Sequence, residues 1–291
     1  MPTTSVAHAR TLRDRLTRGS RWYWTSDDYR AALPDDLAEG VLAIQSSDRL
    51  HAKQGRSTAR VRFDSPYGSL SVFLKRHFRL PWMDRLAALV HPAGRHTPGA
   101  AEWGHLRRAR SLGVNVPDPV AAGEWIGPWG RLQSFLMVAE LDGCELHEAL
   151  PQLRERLGPL AFEQFKRELV VEMAGMAARL HAANLYHKDL YLCHFFIDPD
   201  RPGPAGERLT LIDLHRLAEH RWWATRWRAK DLGQLLFSTF DLEEGLITDR
   251  DRLRFWSHYQ RLQKLNRPAF ERRWIERKAA LYRRHNGGTV R

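Results

Sequence analysis

Four residues stand in an order that could move a phosphoryl group: Lys75, Glu102, Asp189 and Asp213. Phosphoryl transfer asks a protein for little covalent chemistry. It needs a cation on the donor phosphates, a group that fixes that cation, ligands for Mg²⁺, and a carboxylate that accepts the proton of the attacking hydroxyl. Positioning and charge stabilisation supply most of the rate, so few residues suffice but their order matters. Lys75 closes the apolar run "SVFLK", and Glu102 follows 27 residues later in "PGAAEWGHLRRARSLG". Asp189 lies in "HKD" and Asp213 in "LIDLH". Singly, each has an ordinary explanation: a solvated strand-end lysine, a helix-face glutamate, two turn or capping aspartates. The ordered set is what points to catalysis.

The elements around these residues follow from apolar spacing. "ARVRF" and "LSVFLKRHF" read as strands parted by the turn-rich "DSPYGS". "PGAAEWGHLRRARSLG" reads as a helix, with Pro-Gly at its start and Gly113 at its end. "VNVPDPVAAGE" and "RLQSFLMVAEL" give two further strands. Beyond "DGCEL", Phe162, Phe165, Leu169, Met173, Met176 and Leu180 recur at the period of one buried helix face. The segment "HKDLYLCHFFID" follows that helix, and a Pro/Gly-rich turn leads to the strand ending at Asp213, so the two short strands predict a β-hairpin. "KDLGQLLFSTF" and residues 251–284 read as helices. The whole is an α+β, two-lobed layout, with an unassigned segment at 1–48, a strand-rich lobe at 49–142 and a mainly helical lobe at 143–291. Clefts between such lobes commonly bind ligands.

Composition narrows the partners. The chain has 43% hydrophobic and 27% charged residues, as soluble globular proteins do. No signal peptide and no uncharged apolar run of membrane-spanning length is legible. Cys144 and Cys193 stand far apart and read as buried thiols of a reducing compartment. The net charge is +12. Residues 251–291 hold 12 Lys/Arg against Asp251, Glu271 and Glu276, a net of +9. That surface suits polyanions: nucleic acid, an anionic membrane face or an acidic protein. No nucleic-acid motif accompanies it. "HRWWATRWRAK" mixes aromatics with cations. Trp222 and Trp223 fit a headgroup interface or, equally, core packing.

The motifs "NLYHKDLYLCHFFI", "LIDLHR", "RWRAKDLGQLLFS" and "ERKAALYRRH" are similar to those of the lipopolysaccharide core heptose kinases of the WaaP/RfaP (Kdo/WaaP) family. That family has the protein-kinase-like fold, and the resemblance covers about residues 50–285. It implies that Asp189 is the catalytic base, that Lys75 contacts the ATP phosphates and pairs with Glu102, and that Asp213 holds Mg²⁺. It places Gln54, Gly55 and Arg56 at the phosphate-covering turn, and the backbone of Glu140 and Leu141 at the adenine. Asp231 would brace the catalytic loop, and His187 would be a structural, hydrogen-bonded histidine.

Departures from the general kinase pattern are equally plain. Only Gly55 marks the covering turn, Tyr191 stands where protein kinases place a lysine, and "DLH" replaces D-F-G. His194 replaces the asparagine of the second metal position, and imidazole is a poor ligand for hard Mg²⁺. His194 and Tyr191 agree with the heptose-kinase pattern. The resemblance therefore implies an ATP-dependent kinase of a heptose hydroxyl in the lipopolysaccharide core, working at the cytoplasmic face of the inner membrane. An acidic protein such as acyl carrier protein is a second partner permitted by the basic tail. The alternatives are a kinase of another sugar acceptor, such as Kdo or a soluble aminoglycoside-like compound, and a non-catalytic module binding anionic glycolipid or nucleic acid.

Overall fold

Alternation of apolar and polar residues along "SLSVFLKRH" makes one face of a long strand fit for burial, and that strand is the spine of the first unit. The computed structural model describes residues 4–7, 13, 17–45, 49–53, 55–66, 68–78, 86, 97–127, 132–201 and 203–286. Contacts divide the chain into two units. One comprises the residues up to Arg107 with Pro117–Glu140, and the other Arg108–Val116 with Leu141 onward. Arg108–Val116 groups with the second unit because Asn115 extends that unit's hairpin. The Asn115 carbonyl accepts the Leu211 N–H at 2.9 Å, and its Nδ2 donates to Leu209 O at 2.9 Å.

The first unit is a seven-stranded antiparallel sheet: β1 (Thr4–Ala7), β2 (Ser20–Thr25), β3 (Arg49–Lys53), β4 (Arg56–Ser65), β5 (Gly68–His77), β6 (Pro119–Ile126) and β7 (Leu132–Ala139). The strand order is β1-β2-β6-β7-β5-β4-β3. The N-terminal segment, to which sequence gave no role, thus supplies two strands. Their aromatic cluster has a definite partner: Trp22 and Trp24 both pack on Trp103, with ring centroids 4.8 and 5.3 Å away. Trp103 belongs to helix α1 (Pro98–Ser111), which ends before Gly113 at φ +73°. Val72, Leu74, Phe135 and Met137 are fully buried on adjacent strands, each contributing roughly 1.5–3 kcal/mol of apolar burial.

In the second unit, β8 (Cys144–Glu145) leads into α2 (Leu146–Ala182), which breaks at Gly158, where φ is +72° and Pro159 follows. The apolar face from Phe162 to Leu180 is buried as its spacing predicts. After β9 (Leu185–Tyr186), the hairpin β10 (Phe195–Ile197) and β11 (Leu209–Leu211) pairs antiparallel, with β8 on its other side. β12 (Ala218–Glu219) pairs with β9. Helices α3 (Ala224–Phe237), α4 (Asp249–Gln263) and α5 (Pro268–Asn286) complete the unit. α3 approaches α5 closely at Gly233, where a Cβ would meet the Lys278 Cβ at 2.7 Å. No helix among the described residues is long and apolar enough to cross a membrane.

Candidate active site

The first unit brings Lys75 and Glu102 together. β5 carries the lysine and α1 the glutamate, and Nζ lies 2.6 Å from Oε1. The Glu102 side chain is 4% exposed and that of Lys75 24%. A carboxylate this buried is sustained by its partner, and the pair fixes an ammonium that otherwise has four rotatable bonds to wander through. Gly55 sits in the β3–β4 turn at φ +79°, a conformation that favours glycine. Its carbonyl accepts the Phe78 N–H at 2.7 Å. Arg56 is exposed on β4. Gln54 lies outside the described residues. Glu140 has its N–H engaged within the sheet. Its N–H donates to Ser71 O at 3.0 Å and its carboxylate pairs with Arg60 at 2.8 Å, so its amide is already spent within the sheet. Leu141 is half-buried and belongs to the second unit.

The second unit holds "HKD" in a loop after β9, and helix α3 clamps that loop through its backbone. Asp231, fully buried, accepts the N–H of His187 at 2.7 Å and of Lys188 at 2.8 Å. Its Oδ2 also lies 3.2 Å from His181 Nε2. Gln234, one turn on, accepts the Leu190 N–H at 3.3 Å, and Ser238 Oγ accepts that of Leu192 at 2.9 Å. Three polar groups at positions 231, 234 and 238 of one helix face therefore satisfy four loop amides. They hold Lys188 at φ +65°, where a side chain is strained.

Asp189, the residue so held, keeps its carboxylate lightly engaged. Its nearest side-chain partners are Gln234 Nε2 at 3.5 Å from Oδ1 and Arg216 Nη1 at 3.5 Å from Oδ2. Lone pairs left this open can take a proton. The backbone carbonyl of Asp189 accepts from His194 Nδ1 at 2.6 Å. That bond puts the proton of a neutral His194 on Nδ1 and leaves the Nε2 lone pair 3.7 Å from Asp213 Oδ2. The other Asp213 oxygen meets His215 Nδ1 at 2.6 Å. Asp213 itself is left-handed, at φ +60°. His187 is completely buried and its Nε2 donates to Ile212 O at 3.1 Å, the structural role assigned to it. Burial pushes its pKa below the ordinary histidine range.

The description "Lipopolysaccharide kinase (Kdo/WaaP) family" matches residues 66–259, spanning the ion pair, the clamped loop and the hairpin. The chain belongs to this family. It is 35% identical over 255 residues to the lipopolysaccharide core heptose(I) kinase WaaP of Pseudomonas aeruginosa, covering 86% of this chain and 91% of that one. A heptose(I) kinase WaaP of Escherichia coli is 33% identical over 168 residues, 54% of this chain and 58% of that one. Among solved structures, WaaP in complex with acyl carrier protein superposes with a TM-score of 0.65 and 33% identity, over 88% of this chain and 96% of that chain. The protein-kinase-like architecture expected from sequence is thus the Kdo/WaaP one.

Within this Kdo/WaaP chain, three residues that engage Asp189 or its loop escaped the sequence reading. Gln234 and Ser238 had a faint signal, being polar residues at helical spacing from Asp231 in the otherwise apolar stretch "LGQLLFS". Arg216 had none, because its approach to Asp189 depends on the turn after Asp213. Lys230 lies close by. Burial, then Arg216, lowers its pKa from the ordinary lysine value. Cys144 and Cys193 are only partly buried, not sealed in the core.

Proposed function

We propose that this chain transfers the γ-phosphoryl group of ATP to a heptose hydroxyl of the lipopolysaccharide inner core, at the cytoplasmic face of the inner membrane. Asp189 carries the reading. A carboxylate with open lone pairs, in a backbone clamped at four amides, is what a base for a sugar hydroxyl requires. In this role Asp189 accepts the hydroxyl proton as the oxygen attacks the γ-phosphorus. Gln234 and Arg216 orient its two oxygens. Lys75, fixed by Glu102, holds the donor phosphates.

Asp213 fits magnesium by its chemistry. One or two carboxylates with substrate phosphates and waters are the donors that ion ordinarily takes. When bound, it neutralises charge on the β- and γ-phosphates. With Nδ1 already donating to the Asp189 carbonyl, His194 Nε2 serves as a phosphate donor in its protonated form, rather than as a metal ligand. Arg216 puts a cation beside the base, where Tyr191 has replaced the usual lysine. Gly55 and the strands on either side cover the nucleotide.

The charges near Asp189 favour an anionic acceptor over a cationic aminoglycoside. Lys188, Arg216 and Lys230 cluster in its loop and in the elements packed on it. The basic surface of α4 and α5 suits an acidic partner, and acyl carrier protein is the partner in the WaaP structure.

The test is transfer of labelled γ-phosphate from ATP-Mg²⁺ to lipopolysaccharide lacking core phosphate, comparing wild type with Asp189→Asn. Label on the core with wild type, and a loss of about 10²–10⁴-fold in the variant, is the expected result. Transfer that survives the substitution removes Asp189 as the base.

A further inference from the structure

The connection from β12 to α3 turns two tryptophans outward. Trp222 is 83% exposed and Trp223 73%. Core packing, one of the two roles open to them from sequence, is therefore excluded. Their exposure is not slack in the chain. The His220 N–H donates to Asn184 O at 2.9 Å before the pair. After it, Trp223 caps α3, and its carbonyl accepts from Arg226 N at 2.9 Å. Trp223 also sits at φ +61°, ψ +42°, a left-handed conformation that is an outlier for a bulky residue. Backbone strain of this sort persists only where the surroundings impose it. The corner is rigid, and it presents indoles to solvent.

Cations surround the corner. Residues 214–230 hold Arg216, Arg221, Arg226, Arg228 and Lys230 against the single carboxylate Glu219. Arg228 is engaged with Glu271 at 2.7 Å, and Arg221 pairs with Glu219 at 2.7 Å. Among the described residues, neither Arg226 nor Lys188 pairs with a carboxylate. Both lie over the Trp227 ring, at 5.4 and 5.8 Å from its centroid, and Arg226 also stands 5.8 Å from the Trp223 ring. Contacts thus run from Trp223 through Arg226 and Trp227 to Lys188, the neighbour of Asp189.

Indole rings beside unpaired cations match one kind of surface. The headgroup layer of an anionic bilayer takes Trp at its polar–apolar boundary and Lys/Arg at its phosphates. We infer that the Trp222–Trp223 corner, with Arg226 and Lys188, docks this protein on anionic lipid and so presents Asp189 to sugars borne by that lipid. The inference deepens the kinase reading, yet lipid binding is measurable without any phosphate transfer.

The experiment is sedimentation of the full chain with vesicles of phosphatidylcholine alone, and of phosphatidylcholine mixed with phosphatidylglycerol. Binding is expected to the mixed vesicles. It should drop by about tenfold or more in Trp222→Ser/Trp223→Ser, as lost interfacial apolar area dictates. Arg226→Gln should weaken it roughly fivefold, with the deficit disappearing at high salt. Brominated lipid should quench wild-type tryptophan fluorescence and leave that of the double variant largely unquenched. Phosphorylation of a deacylated, soluble core oligosaccharide should be unchanged in the double variant, while that of the same core in vesicles falls in step with binding.

Equal vesicle binding by wild type and the double variant overturns the inference, as does failure of wild type to bind at all. If acyl carrier protein without lipid binds wild type but not the double variant, the corner serves an acidic protein and the lipid assignment is wrong. Loss of activity on the soluble oligosaccharide would instead place the corner in the acceptor site, against the proposal. Vesicle binding that follows expectation with no phosphate transfer to any acceptor would sink the kinase reading and leave the docking surface standing.

Discussion

Replacing Asp231 by Asn tests the clamp on the catalytic loop most sharply, because the substitution keeps shape and volume. The native carboxylate is fully buried and receives the His187 and Lys188 amides at 2.7 and 2.8 Å on its two oxygens, with His181 Nε2 3.2 Å from Oδ2. Asparagine offers one oxygen. Whichever way the amide turns, its NH₂ confronts at least one backbone N–H. One charge-assisted bond, typically about 1.5–3 kcal/mol, is lost and a buried donor is stranded, so destabilisation of about 2–4 kcal/mol is expected. For a unit of this size that is a fall in Tm of roughly 4–16 °C. Activity should suffer separately. Lys188 is kept at φ +65° by one of these bonds, and once it relaxes the adjoining Asp189 shifts. A displacement of about 1 Å can cost on the order of 10²-fold in rate. Thermal unfolding followed by circular dichroism, with initial rates of phosphate transfer at a temperature where the variant is folded, reads both effects. A variant that melts within about 1 °C of wild type and keeps most of its activity would refute the clamp, since a cost of 2 kcal/mol cannot hide in so small a shift.

Other perturbations give distinct readouts. Glu102→Gln should leave the fold intact and lower kcat/KM for ATP about ten- to hundredfold, the equivalent of one charge-assisted bond; unaltered ATP kinetics would remove the Lys75 pair from nucleotide binding. His187 titrates below the ordinary value of 6.5 because burial opposes its charge. The unfolded chain therefore binds the extra proton first, and His187 takes stability away as pH falls below about 6.5, by at most about 1.4 kcal/mol per pH unit. His187→Gln keeps a donor for Ile212 O and should flatten the stability profile between pH 7 and pH 5, which denaturant titration at each pH would show. Burial, then Glu145, pushes the Cys193 thiol from 9.0 to about 11. At pH 8 its alkylation should run about a hundredfold slower than that of an ordinary thiol. Mass spectrometry of the labelled native chain would detect the difference, and rapid labelling would contradict it.

Legibility in the sequence followed the range of the forces involved. Apolar periodicity is local, so the buried face from Phe162 to Leu180, the strand carrying Lys75 and the hairpin before Asp213 could all be read residue by residue. The Lys75–Glu102 pair was readable because a strand and a helix of the same predicted lobe carried it. Partners set by long-range packing were not. Strand β2 sits beside β6, about a hundred residues away in sequence, with β1 on its other side, and nothing in their own composition says so. Arg216 reaches Asp189 only through the turn that Asp213 makes at φ +60°. The partner of the Glu140 N–H was equally hidden, since it is Ser71, a residue on another strand.

Helix α3 begins at the outward-facing Trp223 and carries Asp231, the anchor of the catalytic loop, eight residues later. At 1.5 Å of rise per residue, that interval is a rigid spacer of about 12 Å. With its first turn seated at a lipid surface and its axis along the membrane normal, such a spacer would work as a ruler. It measures how far above the surface a hydroxyl stands, whatever the stereochemistry of the sugar bearing it. Sugars close to the lipid anchor come within its gauge, and those at the far end of a growing chain pass beyond it. Choice of acceptor would then be made partly by height, before any hydrogen bond to the sugar is formed.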